Sequence, residues 1–127
     1  RHPLAVVDTA SPTDLPAVLA DADGLVHCTP VGMAQHPGLP LDADLLRPEL
    51  WVADIVYRPL DTELLVTARE RGCRTLSGGR MAVHQAVDAF ALITGTRPDP
   101  DRMTAHFLDL VTPGPTADLP VGPALSR

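Results

Sequence analysis

Three short stretches hold the residue types that chemistry can use. Thr29-Pro30-Val31-Gly32-Met33 sets a hydroxyl beside a proline-glycine turn. Asp54-Ile55-Val56-Tyr57 offers a carboxylate and a phenol, and Ser77-Gly78-Gly79-Arg80-Met81 adds two glycines and a guanidinium. Thr29 can donate a hydroxyl, and the glycine pair admits a ligand or a backbone at close range. Plain turns use the same residues, and Gly78-Gly79 can equally be only the entry to a helix. Gln85 is a fourth candidate, because an amide donor and acceptor together suit a polyol, although a solvated Gln is the blander reading. His84 and Asp88, four apart, read as a surface pair worth roughly a few tenths of a kcal/mol.

The elements that must position these groups alternate. Leu4 to Val7 is a short apolar run of strand type, and Ser11-Pro12 then opens a helix with Leu15, Val18 and Leu19 on its apolar side. Gly24 to Cys28 is the second strand. A loop rich in Pro and Gly follows, with a helical turn near Leu45-Leu46. Trp51 to Tyr57 is the third strand, stopped by Pro59. Thr62 caps a helix carrying Leu64, Leu65 and Ala68, Gly72 closes it, and Cys73 to Leu76 is the fourth strand. The longest helix follows Gly78-Gly79 and carries Ala82, Val83, Ala86, Val87, Phe90 and Ile93 in a stripe centred on Ala86 and Phe90, ending at Gly95. Asp99-Pro100 starts a last helix with Met103, Phe107 and Leu110. Residues 112–127 read as a disordered tail. Strands alternating with helices imply a parallel, doubly wound α/β sheet, whose ligands bind beyond the carboxyl ends of the strands. All three chemical stretches fall at such ends.

Composition removes several functions. The chain has 127 residues, a net charge of −6 and 45% apolar residues, enough for one compact domain with a modest core. No basic stripe exists to neutralise phosphates, so nucleic acid is not a partner. No apolar run approaches the roughly 18 residues that cross a bilayer, nothing at the start reads as a signal peptide, and a cytoplasmic protein is expected. Cys28 and Cys73, both in apolar strand contexts, are expected to be buried free thiols. The ligand spacing for a metal at Cys28 with His27 or His36 is absent, so no metal is expected. All ten basic residues other than histidine are Arg. Without an initiator Met, the sequence is expected to begin inside a longer chain.

Taken in order, the Thr29–Met33 loop, Asp54 to Leu65 and Gly79 to Phe90 resemble the cofactor-domain half of the shikimate/quinate dehydrogenases. The wording His84-Gln85-Ala86-Val87-Asp88-Ala89-Phe90 is most similar to the quinate/shikimate branch found in actinobacteria. Three motifs in sequence over residues 4–110 make the likeness specific. It implies a partial Rossmann-like fold with C-terminal helices: residues 1–95 as the second half of a dinucleotide-binding domain, and 96–111 as a C-terminal helix. It implies NAD or NADP as cofactor, touched by Thr29, Pro30, Val31, Gly32, Ile55, Gly78 and Met81. Shikimate or quinate is the implied substrate, near Tyr57 and held by Gln85, and a homodimer is possible.

The departures from that pattern bear on chemistry. His27 and Cys28 stand where the family usually has Asn and Ala. No Lys exists to serve as the family's proton-transfer group, which with its partner Asp belongs to a separate substrate domain. No G-x-G-x-x-G phosphate loop occurs, and no residue that would choose NAD over NADP is present. The expected activity of an intact enzyme is reversible hydride transfer at a ring hydroxyl. No catalytic residue lies in this chain, which alone is expected to be inactive. A relic that binds without catalysis, or an interaction protein pairing through an exposed sheet edge, are the competing readings.

Overall fold

A computed structural model of the chain describes residues 7–112. Of the expected first strand only Val7 is described, and it lies in no strand. The remainder of that strand, and the expected disordered tail beyond Thr112, fall outside the described residues. The chain divides into two compact units, one running to Ala82 and the other starting at Val83.

In the first unit, Ser11 opens a 3-10 turn, Pro12–Asp14, that leads into α1, Leu15–Asp21. The backbone N–H of Ser11 donates to Asp14 Oδ2 at 3.1 Å, which holds the entry. Strand β1, Gly24–His27, is followed by a long loop containing the 3-10 turn Ala43–Leu45. Strand β2 is Trp51–Asp54 and strand β3 is Arg74–Ser77. Between them runs α2, Glu63–Glu70. Thr62 caps α2 by accepting from the Leu65 N–H at 3.3 Å. Gly72, at φ +85°, turns the chain out of α2, and the Cys73 N–H closes on the Ala68 carbonyl at 2.9 Å.

The sheet order is β1-β2-β3, all parallel. Its register aligns His27 with Asp54 and Asp54 with Ser77, so the last residues of the three strands stand in one row. Side chains alternate across the pleat. Val52 and Asp54 turn to the buried side, while Val26 and Leu76, in register on either side of Ala53, are exposed. The core gathers Leu19, Leu46, Leu50, Val52, Leu64, Leu65, Ala68 and Cys73 between the sheet and the helices on that side. Arg47 fastens α1 to this layer: its guanidinium donates to the Ala22 carbonyl and, at 3.5 Å, to that of Leu19. Those carbonyls lie at the helix C-terminus, where a cation is favoured.

Helix α3, Gly78–Thr94, leaves β3 directly and stops at Gly95, which adopts φ +71°. In the second unit, α4, Pro100–Val111, is capped by Asp99, whose Oδ1 accepts from the N–H groups of Asp101 and Arg102 at 2.9 and 3.2 Å.

Four expectations change. The strand expected to reach Tyr57 ends at Asp54, because the Val56 N–H donates to Asp54 Oδ1 at 3.0 Å instead of joining a ladder. Cys28 is exposed, since β1 ends at His27 and releases it into the loop, whereas Cys73 is buried as expected. The apolar stripe of α3 is buried only at Val83 and Val87; Ala86, Phe90 and Ile93 are exposed. Phe90 instead borders an open cleft with Pro98, Asp99, Arg102, Met103 and His106, so α4 does not seal it. Asp88 pairs with Arg97 at 3.3 Å rather than with His84.

Leu50 has no exposed surface and Leu92 is 87% exposed. Urea denaturation is therefore expected to show a loss of about 3 kcal/mol for Leu50→Ala, from lost transfer energy plus a cavity, and almost none for Leu92→Ala.

Candidate functional site at the strand ends

The row of strand ends is organised around one buried carboxylate. Asp54, at the end of β2, accepts from His27 Nδ1 at 3.0 Å and from the Val56 N–H at 3.0 Å through Oδ1. Its Oδ2 accepts from the Thr62 hydroxyl at 2.7 Å. A carboxylate offers only acceptors, so this partner places the ring proton of His27 on Nδ1. Nε2 of His27 then faces Thr29 Oγ1 at 2.5 Å, and Oγ1 in turn accepts from the Val31 N–H at 3.3 Å. One network thus joins the end of β1, the end of β2, the first turn of α2 and the loop after β1.

That loop is closed on itself. The Gly32 N–H donates to the His36 carbonyl at 2.7 Å and the Met33 N–H to the Pro30 carbonyl at 3.1 Å. Gly32 adopts φ +95°, and a Cβ there would lie 3.5 Å from Thr62 Cβ and 4.0 Å from Asp54 Oδ2. The left-handed backbone, more than crowding, calls for glycine at this position. Gly78 has the opposite reason. A Cβ on it would stand 2.3 Å from the Ile55 carbonyl oxygen and 2.8 Å from that of Val56. The start of α3 therefore lies directly on the backbone that leaves β2, a close approach that goes beyond a simple helix entry.

Between the loop and the end of β2 opens a cleft of about 560 Å³. Thr29, Pro30, Met33, Ile55, Tyr57 and Arg58 are among the residues that line it. Its walls are mainly apolar with a few polar groups, the usual make-up of a small-molecule site. Of the residues singled out in the sequence, Thr29, Pro30, Ile55 and Tyr57 therefore meet in one cavity. Val31 and Gly32 form the turn behind it, and Gly78 rests against Ile55. Met81 is exposed on the first turn of α3 and is not part of the lining; Gln85 is exposed on the same helix, in the second unit.

Known proteins are similar to this chain in sequence and in fold. A shikimate dehydrogenase (NADP(+)) from Pseudarthrobacter chlorophenolicus is 61% identical over 109 residues, which cover 86% of this chain and 37% of that enzyme. A quinate/shikimate dehydrogenase (NAD(+)) from Corynebacterium efficiens is 58% identical over 92 residues, or 72% of this chain and 32% of that one. Quinate dehydrogenase from Corynebacterium glutamicum, solved in complex with NAD, superimposes with a TM-score of 0.72 at 52% identity, covering 76% of this chain and 34% of that structure. Over most of its length the chain is thus similar to proteins named shikimate or quinate dehydrogenase. It spans about a third of the length of these relatives and matches their C-terminal part. No family model matches it. The fold is accordingly the α/β, Rossmann-like one of these dehydrogenases, here with a three-stranded parallel sheet among the described residues. No helix among those residues is long and apolar enough to cross a membrane, and no group of acidic, His or Cys side chains among them could hold a metal.

Sequence reasoning missed the members of the network that lie behind the cleft. In the sequence Asp54 stood out as a carboxylate within a strand running on to Tyr57, His27 as a rejected metal ligand and a departure from the family pattern, and Thr62 only as a helix cap. A buried polar group needs a partner, and a His and an Asp set within two otherwise apolar strand stretches were the available signal.

Burial raises the Cys73 thiol above its ordinary value, the first cause being loss of hydration. The folded chain therefore holds this proton more tightly than the unfolded chain does. That contribution to stability is complete below the unfolded thiol's pKa and is lost as pH rises through the folded value. Timed alkylation with iodoacetamide near pH 8, read by mass spectrometry, is expected to label exposed Cys28 at least about tenfold faster than Cys73, with urea removing the difference.

Proposed function

We propose that this chain forms the cofactor-facing part of an NAD- or NADP-dependent dehydrogenase acting on shikimate or quinate. The observation that carries the reading is the convergence of Thr29, Pro30, Ile55 and Tyr57 on one cleft at the carboxyl ends of two parallel strands. Residues around that cleft fit a dinucleotide: Gly78 lets the start of α3 close on the Ile55 backbone beside it, and Gly32, at φ +95°, lets the loop turn tightly next to it. When bound, the nicotinamide would supply the acceptor for hydride from a ring hydroxyl. Thr29, Pro30, Val31 and Gly32 would hold the dinucleotide with Ile55, Gly78 and Met81.

The protein's own contribution is placement. Pro30, Met33 and Ile55 give the cleft an apolar wall that would keep water from a bound nicotinamide, and Tyr57, in the same lining, would stand near the substrate. For Gln85 the substrate role rests on the family likeness alone. Nothing in the chain can move the proton in the way the family requires, because it contains no Lys. A Gly-rich phosphate loop is also absent from the sequence, so the dinucleotide should bind weakly and the chain alone should be inactive.

Two measurements test this. With NAD or NADP and either quinate or shikimate, the chain is expected to produce no reduced cofactor; turnover would place the catalytic groups here. In titrations followed by NMR, amide shifts are expected at Val31, Gly32, Ile55 and Gly78, while shifts confined to α4 would overturn the cofactor placement.

A further inference from the structure

Thr29 is an exposed residue of the cleft wall, and what holds its side chain is buried. His27 is only 6% exposed and Asp54 is 2% exposed. With Nδ1–H committed to Asp54, Nε2 is the ring atom that meets the Thr29 hydroxyl. Thr29 Oγ1 also accepts from the Val31 N–H, and Thr29 lines the cleft. The imidazole therefore holds the rotamer of Thr29.

The geometry points to His27 as a positioning residue: the Asp54–His27–Thr29 relay fixes the Thr29 hydroxyl and the Pro30–Gly32 turn for dinucleotide binding. This rests on the cofactor reading proposed above. Asp54 orients the ring, the ring orients the hydroxyl, and the hydroxyl pins the Val31 amide, as outer partners orient a metal ligand. The contact chain runs from a fully buried anchor to an exposed cleft residue, so the loop inherits the rigidity of the sheet.

Side-chain length separates the two halves of the relay. An Asn amide sits near the position of Nδ1 and can reach Asp54 but not Thr29; a Gln amide sits near Nε2 and can reach Thr29. In the 127-residue chain, His27→Asn and His27→Gln are compared with the parent by melting temperature, by NMR titration with NAD and NADP, and by amide hydrogen exchange at Val31. His27→Asn is expected to keep the melting temperature but weaken dinucleotide binding about fivefold, the equivalent of one hydrogen bond, and to speed exchange at Val31. His27→Gln is expected to restore both. The relay is overturned if His27→Asn binds like the parent, or if affinity follows melting temperature rather than contact with Thr29. If the parent chain responds to neither dinucleotide, the cofactor reading fails. The relay is then judged by exchange alone, and unchanged exchange at Val31 in His27→Asn overturns it.

Discussion

Taking a carboxylate out of water is costly unless its lone pairs meet donors, and a carboxylate so satisfied becomes a rigid node. Asp54 meets that condition with an imidazole N–H, a backbone N–H and a hydroxyl. Each donor belongs to a different piece of the site. His27 brings the end of β1, Val56 brings the chain leaving β2, and Thr62 brings the start of α2. Removing any one of them leaves a buried donor or acceptor unpaired, which costs about 1–3 kcal/mol and loosens the other two. The loop after β1 and the cleft beside it depend on this node.

Close backbone approaches complete the frame. Gly78 lets α3 begin against the carbonyls of Ile55 and Val56, and a side chain there would push the helix start away from the cleft. Gly24 plays a parallel part at the other end of the sheet. A Cβ on it would overlap the Trp51 ring at 1.8 Å, so the indole lies over the start of β1. Packing and hydrogen bonding thus act at opposite ends of the same short strands. The core of Leu50, Val52, Leu64 and Leu65 holds the layer between.

How much of this could be read from the chain depends on the range of the interaction. Caps are local, so Thr62 and Asp99 before their helices, and Gly95 after one, announced themselves in sequence. Apolar runs bounded by turn residues located β1, β2 and β3 to within a few residues. The Asp54 network was not legible, since His27 lies 27 residues away and Thr62 lies 8 away, and no period links them. The same network ended β2 early, which propensity over Trp51–Tyr57 could not anticipate. Helical spacing identified α3 but not which of its apolar residues are covered, because burial depends on what packs above the stripe. The motifs at the strand ends were legible as chemistry, and the meeting of those after β1 and β2 in one cleft follows from parallel pairing.

The central claim is that one buried carboxylate holds the loop, the strand end and the helix start together. Site-resolved hydrogen exchange in Asp54→Ala tests it most directly. The account predicts that the amides of Val31, Val56 and Leu65 lose protection together while those along the β2–β3 ladder keep theirs. Loss confined to Val56, with Val31 and Leu65 as protected as in the parent, would contradict it.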